Sequence, residues 1–340
     1  MTTPPRLRVG IAGCGYQGAI LARTMAQTKS MQLAACADIE RAAAAKLAVE
    51  HGNPPVFSSV ETMLAGSELD VVFVATPHDA LHPVALAAVK AGKHVMVEKP
   101  VGINAQQVSE LGEAADRAGV FCLAGYSFRS FPALQIVKNL VTGGVVGEIL
   151  AMMGSIGLGP LSNGWRATPE TGGGPLLFVG SHLVDEVLWL LGDDPTEVIA
   201  DVRTRADTGA DETTAFQIAF AHGAAAQCLV TQAAHSFFNH LDIIGREGRI
   251  GLRGADFLNY TVEVISKKEP AYSQPTVIRP AWYGDARVAM HLPQLEEMAQ
   301  AIHAGRPPAV TLAEARRVME VIDAVFESGR TGSAAIVGAA

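Results

Sequence analysis

The sequence predicts a doubly wound parallel α/β domain followed by an α+β domain with a mostly antiparallel sheet. In the first half, short apolar runs alternate with helical segments, which is typical of a parallel sheet covered on both faces. After about Tyr126, apolar runs follow one another across short turns, which indicates antiparallel pairing. A chain of 340 residues suits two domains. We therefore predict domains at 1–126 and 127–340, with the C-terminal helices free to pack back on the first domain.

Turn and capping residues bound the elements of the first domain. The predicted strands cover 7–12, 32–37, 70–75, 94–97 and 120–124, and the predicted helices cover 42–51, 80–91 and 105–118, besides one that follows a glycine loop at 13–18. Gly52 and Gly92 end two of these helices. Asn104 is a good N-cap for the last helix, and Gly119 closes it.

The second domain has more strands and fewer helices. Predicted strands cover 149–156, 197–205, 213–220, 225–232 and 259–265, and predicted helices cover 131–140, 176–191, 288–303 and 312–326. Because consecutive strands lack crossover helices, the sheet is expected to be largely antiparallel.

Composition and charge exclude several classes of protein. Hydrophobic residues make up 49% of the chain and charged residues 18%, so a large core is expected. The net charge of −8 argues against nucleic acid as a partner. His182, Asp185 and Glu186 interrupt the most apolar stretch, which argues against a membrane partner. The four cysteines form no disulfide framework and the N-terminus has no signal-peptide core, which favours a cytoplasmic location.

A glycine loop carries the strongest motif. The sequence at 13–18 matches the pattern GxGxxG, follows a predicted strand and opens a helix. In the dinucleotide-binding fingerprint, Gly13 permits the tight turn, Gly15 lets the backbone approach the pyrophosphate, and Gly18 lets helix and strand pack closely. The helix N-terminus attracts the anionic pyrophosphate. A glycine-rich turn without a ligand is the alternative, and the strand–loop–helix context argues against it.

The residues around the loop indicate the type of dinucleotide. Asp38 ends the second strand 20 residues after the loop, where a carboxylate accepts hydrogen bonds from the ribose hydroxyls and repels a 2′-phosphate. Arg41 is the nearby residue that would favour a 2′-phosphate. We predict NAD rather than NADP, with Tyr16 and Gln17 of the loop among the contacts.

Several further motifs occur in a fixed order along the chain. They are Thr76-Pro77-His78 followed by His82, Glu98-Lys99-Pro100, Gly125-Tyr126, Arg129, Pro132 and the glycine-rich run 172–185. With the glycine loop, this set resembles the Gfo/Idh/MocA oxidoreductase family over nearly the whole chain. The resemblance implies an N-terminal Rossmann domain, a large open C-terminal sheet that forms a homodimer or homotetramer, an active site between the domains, and sugar or cyclitol substrates.

Lys99 is the first candidate catalytic residue. It follows a parallel strand at its carboxyl end, where ligands bind in such sheets. An ammonium group there hydrogen-bonds a substrate oxygen and polarises a developing carbonyl. A surface lysine that caps the strand is the alternative. Glu98 beside it, and Thr76, Pro77 and His78 at the end of the preceding strand, are predicted cofactor contacts.

His182 is the second candidate, and it matches the catalytic histidine of the family. The family commonly has aspartate at the position of Phe178, four residues earlier on the same helix face. Phe178 cannot act as a base, so three possibilities stay open: His182 and Lys99 act alone, Asp185 is the partner, or the chemistry differs. A histidine buried in the core is the structural alternative.

Other residues are weaker candidates. Trp165 and Arg166 precede the glycine run, where family members often place substrate contacts, and Tyr126 is a further substrate candidate. Arg129 and Tyr283 could also reach the cleft. His78 and His82 are four residues apart, but no third ligand follows at useful spacing, so no metal is expected.

Three classes of function remain open. The first is an NAD(P)-dependent oxidoreductase that transfers hydride between nicotinamide and a hydroxyl or carbonyl of a sugar, cyclitol or related small molecule. The second is a hydrolase or lyase that oxidises transiently, eliminates and reduces again. The third is a regulatory protein that senses the dinucleotide without turnover.

Overall fold

The computed structural model describes residues 4–161, 164–281 and 284–339. The chain divides into two compact units, Met1–Ser127 with Gly284–Arg316, and Phe128–Tyr283 with Arg317–Ala340. Residues 284–316, which we assigned to the second domain with its C-terminal helices free to pack back, belong to the first unit. Their apolar side chains explain this, since Leu295 and Met298 lie in the same buried cluster as Leu21.

The first unit contains a parallel sheet with helices between its strands. Its elements are β1 (Leu7–Ala12), α1 (Tyr16–Met25), β2 (Met31–Ala37), α2 (Arg41–Glu50), β3 (Val56–Phe57), α3 (Val60–Gly66), β4 (Val71–Val74), α4 (His78–Lys90), β5 (His94–Glu98), α5 (Ala105–Ala118) and β6 (Cys122–Gly125). The strand order is β3-β2-β1-β4-β5-β6 and every pair is parallel. The order reverses between β1 and β4, which is where ligands bind in such sheets.

Local signals predicted most of this unit correctly. The Asn104 side chain accepts a hydrogen bond from the Gln107 N–H at 2.9 Å, and Gly119 ends α5 in the left-handed conformation. The short β3 and α3 were missed. The two-residue strand β3, which follows a proline pair, is too short to show a hydrophobic periodicity. α3 does have a capping signal, because Ser59 accepts a hydrogen bond from the Thr62 N–H.

The second unit contains a nine-stranded sheet. In chain order, the remaining elements are α6 (Pro132–Thr142), β7 (Ile149–Gly157), α7 (Ser181–Leu191), β8 (Pro195–Thr204), β9 (Asp211–Phe220), β10 (Ala225–Thr231), β11 (Phe238–Gly245), β12 (Gly248–Gly254), β13 (Tyr260–Ser266), β14 (Thr276–Ile278), α8 (Ala286–Ala304), α9 (Leu312–Thr331) and β15 (Ala335–Ile336). The order is β14-β13-β12-β11-β7-β10-β9-β8-β15, and β7–β10 is the parallel pair in an otherwise antiparallel sheet. The predicted sheet type is therefore confirmed, although β11, β12, β14 and β15 were missed.

The helix predicted over 176–191 begins differently in the structure. Leu176–Gly180 forms a π-helical turn, and the α-helix starts only at Ser181. The Ser181 hydroxyl donates to the Leu177 carbonyl at 2.9 Å within this turn. Phe178 lies within this π turn, and His182 follows it as the second residue of the α-helix. Such turns occur frequently at functional sites.

The apolar stretch around α7 lies inside the fold. Pro169–Leu191 has the length and hydropathy of a membrane-spanning helix, but 83% of its most apolar window is buried in the structure. α6 and α7 pack on the nine-stranded sheet. The stretch is therefore a core helix of the second unit.

Candidate active site

The glycine loop has the backbone geometry that its sequence predicted. Gly13 adopts φ +92°, and a Cβ there would lie 2.5 Å from the Ala75 carbonyl oxygen. At Gly18 a Cβ would lie 2.0 Å from the Gly13 carbonyl oxygen, so α1 and β1 pack closely only with glycine here. Above Gly15 a Cβ would meet open space. The loop thus leaves room for a ligand at its middle glycine.

The N-terminus of α1 and the carboxylate of Asp38 flank this space. Gly15 is the N-cap of α1 and has no side chain to satisfy the first N–H groups. Asp38 accepts hydrogen bonds from the backbone N–H groups of Cys14 at 2.7 Å and of Glu40 at 2.8 Å. A carboxylate has about four acceptor positions, so acceptor capacity remains for ribose hydroxyls.

The end of β4 supplies a further polar group. Thr76 Oγ1 is buried and makes no hydrogen bond within the part of the chain that the structure describes. Beside it, Pro77 is exposed and His78 is 3% exposed. A buried hydroxyl without a partner is costly unless a ligand or water satisfies it. The glycine cradle, the uncapped helix and this hydroxyl fit a dinucleotide, which would bring hydride chemistry to the site.

Lys99 lies in a tight turn after β5. The Val101 N–H donates to the Glu98 carbonyl at 3.0 Å, and the Lys99–Pro100 peptide bond is cis. Val101 has φ +78°, which is strained for a β-branched residue and persists only where the surroundings hold it. Lys99 itself is half-buried. The sequence predicted the position of this lysine but not the turn that holds it.

Gln17 of the glycine loop contacts Glu98, which is the last residue of β5. Gln17 Nε2 lies 2.8 Å from Glu98 Oε1 and 2.8 Å from His291 Nε2. Glu98 is 9% exposed and His291 is 2% exposed. Sequence analysis missed His291, because it lies on α8 and no motif connects it with the loop. Tyr16 is 59% exposed, and the Arg287 guanidinium stacks over its ring at 5.0 Å.

The candidate residues of the second unit form two aromatic groups. His182 is 5% exposed and stacks on Phe128, with ring centroids 3.8 Å apart and an interplanar angle of 7°. Trp165 meets Phe178 edge to face at 6.1 Å. The Arg166 guanidinium lies 4.7 Å from the Trp165 ring and 5.4 Å from the Phe178 ring. The structure therefore brings together the three predicted substrate contacts Trp165, Arg166 and Phe178.

Asp185 forms a buried ion pair with Arg129. Arg129 Nε donates to one carboxylate oxygen at 2.9 Å and Nη2 donates to the other at 2.6 Å. Asp185 is 1% exposed and Arg129 is 8% exposed. This geometry gives Asp185 a charged partner in Arg129, and its role as a partner of His182 or as a substrate contact stays a prediction. Tyr126 is fully buried in the first unit, and Tyr283 lies outside the described residues.

Two further carboxyl groups are buried in the second unit. Glu186 accepts from Asn239 Nδ2 at 2.9 Å and is fully buried, and burial raises the pKa of Glu186 to about 8. Asp211 Oδ2 accepts from the Leu176 N–H at 2.9 Å, at the start of the π turn. Burial raises the pKa of Asp211 to about 7, against the opposing effect of this N–H. Sequence analysis assigned no role in the site to either acid.

The two histidines of α4 are buried, and the predicted cofactor contact of His78 stays a prediction. His82 Nε2 lies 3.5 Å from Glu110 on α5. Burial lowers the pKa of His82. Within residues 4–161, 164–281 and 284–339, no group of three or more His, Cys, Asp or Glu side chains could hold a metal ion. The absence of a metal stays a prediction.

Comparison with family models decides the assignment. Residues 7–126 match the oxidoreductase family with an NAD-binding Rossmann fold, and residues 134–251 match the GFO/IDH/MocA C-terminal domain. A trans-1,2-dihydrobenzene-1,2-diol dehydrogenase of Danio rerio is 31% identical over 72% of this chain and 73% of its own length. The chain belongs to the Gfo/Idh/MocA family.

Other members cover the chain more fully. The D-xylose 1-dehydrogenase (NADP(+)) 2 of Haloferax volcanii is 26% identical over 96% of this chain and 97% of its own. GenD2 from gentamicin A biosynthesis, solved in complex with NAD, is 25% identical with a TM-score of 0.86, covering 100% of this chain and 98% of its own. As a Gfo/Idh/MocA protein, this chain binds NAD in its Rossmann unit and acts as a dehydrogenase or reductase on CH–OH groups.

Proposed function

We propose that the protein oxidises a hydroxyl, or reduces the corresponding carbonyl, of a sugar, cyclitol or related small molecule with NAD(H). The observation that carries the proposal is the juxtaposition of the open glycine cradle, Asp38 and the unpartnered Thr76 hydroxyl at one end of the parallel sheet. Lys99 follows the next strand at the same end. The sugar and diol dehydrogenases among the relatives support this class of substrate.

The proposed reaction uses Lys99 and His182. The glycine loop and Asp38 would hold the dinucleotide, which would supply hydride exchange with the reacting carbon. Lys99 hydrogen-bonds the reacting oxygen and stabilises the charge that develops on it. His182 takes the proton from that oxygen during oxidation and returns it during reduction. Its ring plane is held by the stack on Phe128, which orients the imidazole before substrate binds.

The aromatic group favours a substrate with one weakly hydroxylated face. Phe178 and Trp165 present apolar rings, which suit the C–H face of a ring compound. Arg166 stacks on both rings, and its N–H groups suit hydroxyl or carboxylate oxygens at the edge of the same compound. Phe178 in place of the family's usual aspartate leaves His182 as the acid–base group on this part of the chain.

A substrate panel with two variants tests the function. Sugars, cyclitols and hydroxy acids are assayed with NAD for absorbance at 340 nm and, by mass spectrometry, for bond cleavage. With the best substrate, Lys99→Met and His182→Ala should each lower kcat about 10²–10⁴-fold. Affinity for NADH should stay within a few-fold in His182→Ala, because the dinucleotide contacts lie in the Rossmann unit.

Matched controls replace exposed residues of the same type. Lys46→Met on α2 and His303→Ala on α8 should both retain the wild-type kcat. Wild-type turnover in His182→Ala would reduce that histidine to packing. Bond cleavage without net NADH would favour the hydrolase or lyase mechanism, and NADH binding without turnover of any substrate would favour a sensing protein.

We propose that the uncovered face of the nine-stranded sheet joins copies of the chain in a homodimer or homotetramer. Along one row of paired residues, Met153, Gln227, Gln217 and Ile199 all lie on the exposed face. Met153 is 45% exposed and Ile199 is 53% exposed, which is a large apolar area for a free surface. Ile199→Glu should lower the mass measured by light scattering, whereas Val49→Glu on α2 should not.

We also propose a cytoplasmic location. Cys14, Cys36, Cys122 and Cys228 are free, buried thiols, which suits a reducing compartment. Fractionation of cells with a fluorescent fusion tests this directly, and recovery outside the cytoplasm would contradict it.

A further inference from the structure

Three polar side chains from separate segments of the Rossmann unit meet beside the Lys99 turn. Gln17 comes from the first turn of α1, Glu98 ends β5, and His291 comes from α8. The Gln17 amide nitrogen lies 2.8 Å from both Glu98 Oε1 and His291 Nε2. His291 Nε2 is itself 3.9 Å from Glu98 Oε1. Gln17 therefore links Glu98 and His291, which are too far apart for a direct hydrogen bond.

The positions of the protons follow from these distances. An amide nitrogen carries two N–H groups and only donates, so Glu98 Oε1 and His291 Nε2 both accept. Rotating the Gln17 amide would place its oxygen against the Glu98 carboxylate, which also only accepts. His291 Nδ1 lies 2.6 Å from the Arg287 carbonyl oxygen and must donate to it. His291 is therefore neutral, with its proton on Nδ1.

This network fixes the residue on which the Lys99 turn is built. Glu98 is the last residue of β5, and its carbonyl accepts the Val101 N–H that closes the turn. The side chain of the same residue is held by Gln17, and Gln17 is held by His291. In a buried network each member depends on its partner, because an unsatisfied polar group in the interior is costly.

We propose that His291 is a positioning residue for Lys99, which it orients through Gln17 and Glu98. The proposal rests on the proposed role of Lys99 in the reaction. The described hydrogen bonds of His291 reach Gln17 of the glycine loop and the Arg287 carbonyl but not Lys99, so its effect on Lys99 passes through the network. Its function is to supply one acceptor, Nε2, at a fixed point.

Two substitutions of His291 separate this role from simple packing. His291→Leu fills a similar volume but removes the acceptor. His291→Gln supplies an amide oxygen that can accept from Gln17 in place of Nε2. His303→Leu, an exposed position on the same helix, is the matched control. Gln17→Met breaks the network at its centre and serves as a second test if His291→Leu fails to fold.

The first measurement is hydrogen exchange of the protein without substrate. We expect the peptide that contains the Val101 amide to exchange about 5–10-fold faster in His291→Leu, which corresponds to one lost hydrogen bond. Peptides of α5 should be unchanged, and His291→Gln should restore the wild-type rate. Faster exchange throughout the Rossmann unit, or no change at Val101, would overturn the proposal.

The second measurement uses turnover of the best substrate. In His291→Leu we expect kcat to fall about 10-fold while the Kd for NADH stays within about 3-fold, with recovery of kcat in His291→Gln. An equal loss of NADH affinity, or no recovery, would assign His291 to structure alone. If the wild-type protein turns over no substrate, the proposed function fails, yet hydrogen exchange still decides whether His291 holds the turn.

Discussion

Asp38 holds the glycine loop with the same carboxylate that we propose as the contact to the cofactor ribose. One oxygen accepts from the Cys14 N–H inside the loop, and the other accepts from the Glu40 N–H just beyond β2. Both bonds restrict rotation of the carboxylate, so in the proposed site it would accept from the ribose hydroxyls without reorganising. The charge that attracts ribose hydroxyls also repels a phosphate at the 2′ position.

Replacement of Asp38 by alanine should therefore change cofactor preference. We expect NADH affinity to fall about 10–150-fold, from the loss of charge-assisted hydrogen bonds of about 1.5–3 kcal/mol. NADPH affinity should fall less, because repulsion of the 2′-phosphate disappears. Fluorescence titration of wild type and variant with both cofactors measures this, and tighter binding of NADPH by the wild type would contradict the assignment.

Glu186 shows how burial, together with the neighbouring charge of Asp185, raises the pKa of an acid. No cation offsets its charge in the described contacts, and Asn239 is its hydrogen-bond partner. The folded state keeps the carboxyl protonated up to pH about 8, whereas an ordinary glutamate loses its proton near 4.5. The folded protein thus binds a proton that the unfolded chain releases between these values, and the free energy of unfolding falls as pH rises through this window.

The variant Glu186→Gln should remove this dependence. Between pH 4.5 and 8, its free energy of unfolding relative to wild type should increase by up to roughly 1.4 kcal/mol per pH unit and then level off. Urea denaturation at several pH values measures the difference. Glu50→Gln, at an exposed site on α2, should show no such trend; a flat difference for Glu186→Gln would mean that Glu186 is ionised in the folded state.

At the scale of single residues, sequence patterns identified those candidate site residues whose interaction partners are close in the chain. The glycine loop and Asp38 follow from spacing along one strand–helix–strand unit, and the motif around Lys99 follows from a strand end. His291 and Asp185 differ, because their roles depend on partners 274 and 56 residues away. Only the folded chain shows that Asp185 pairs with Arg129 and that Gln17 links Glu98 to α8.

The π turn and the first turns of α7 that follow it are held by groups from other elements. Asp211 of β9 accepts the Leu176 N–H, and Arg129 takes both carboxylate oxygens of Asp185. These contacts hold the N-terminal half of the helix. His182 lies in that half. A buried ion pair costs little only while both partners are present.

Breaking the pair from one side should destabilise the second unit strongly. Asp185→Asn leaves the buried Arg129 charge uncompensated, and we expect a loss of about 3–5 kcal/mol in the free energy of unfolding. The double variant Arg129→Met with Asp185→Leu should lose less than either single variant. Glu327→Gln, which breaks an exposed pair with Arg330, should cost below about 1 kcal/mol. Additive losses in the double variant would contradict coupling.

Elements were predictable where their ends carry a chemical signal. α5 has a side-chain cap and a left-handed glycine, and its predicted bounds match the structure. β12 contains three glycines in seven residues, so its sequence resembles a turn, yet pairing with β11 and β13 makes it a central strand. The π turn also lacks a sequence signal, because it depends on packing of Leu176–Gly180 against β7 and β10.

The whole molecule interleaves its two units along the chain. The Rossmann unit contains residues 1–127 and 284–316. The intervening residues 128–283 belong to the second unit. α8 packs on α1, and the Val310 carbonyl accepts the Ala124 N–H beside β6. The composition of the chain predicted two domains, but alternation and periodicity carry no information on which unit a late helix joins.

Because of this interleaving, the first 127 residues are synthesised well before residues 284–316, which complete the same unit. When residues 1–127 leave the ribosome, the apolar side chains of α1 that later contact Leu295, Met298 and Ala299 have no cover. The nascent Rossmann unit must wait for more than 150 further residues, and we expect it to be a client of chaperones in that interval. An isolated 1–127 fragment should bind a hydrophobic dye, and a synthetic 284–316 peptide added in trans should abolish that binding. A fragment that folds alone, with no dye binding, would show that α8 is dispensable for the core.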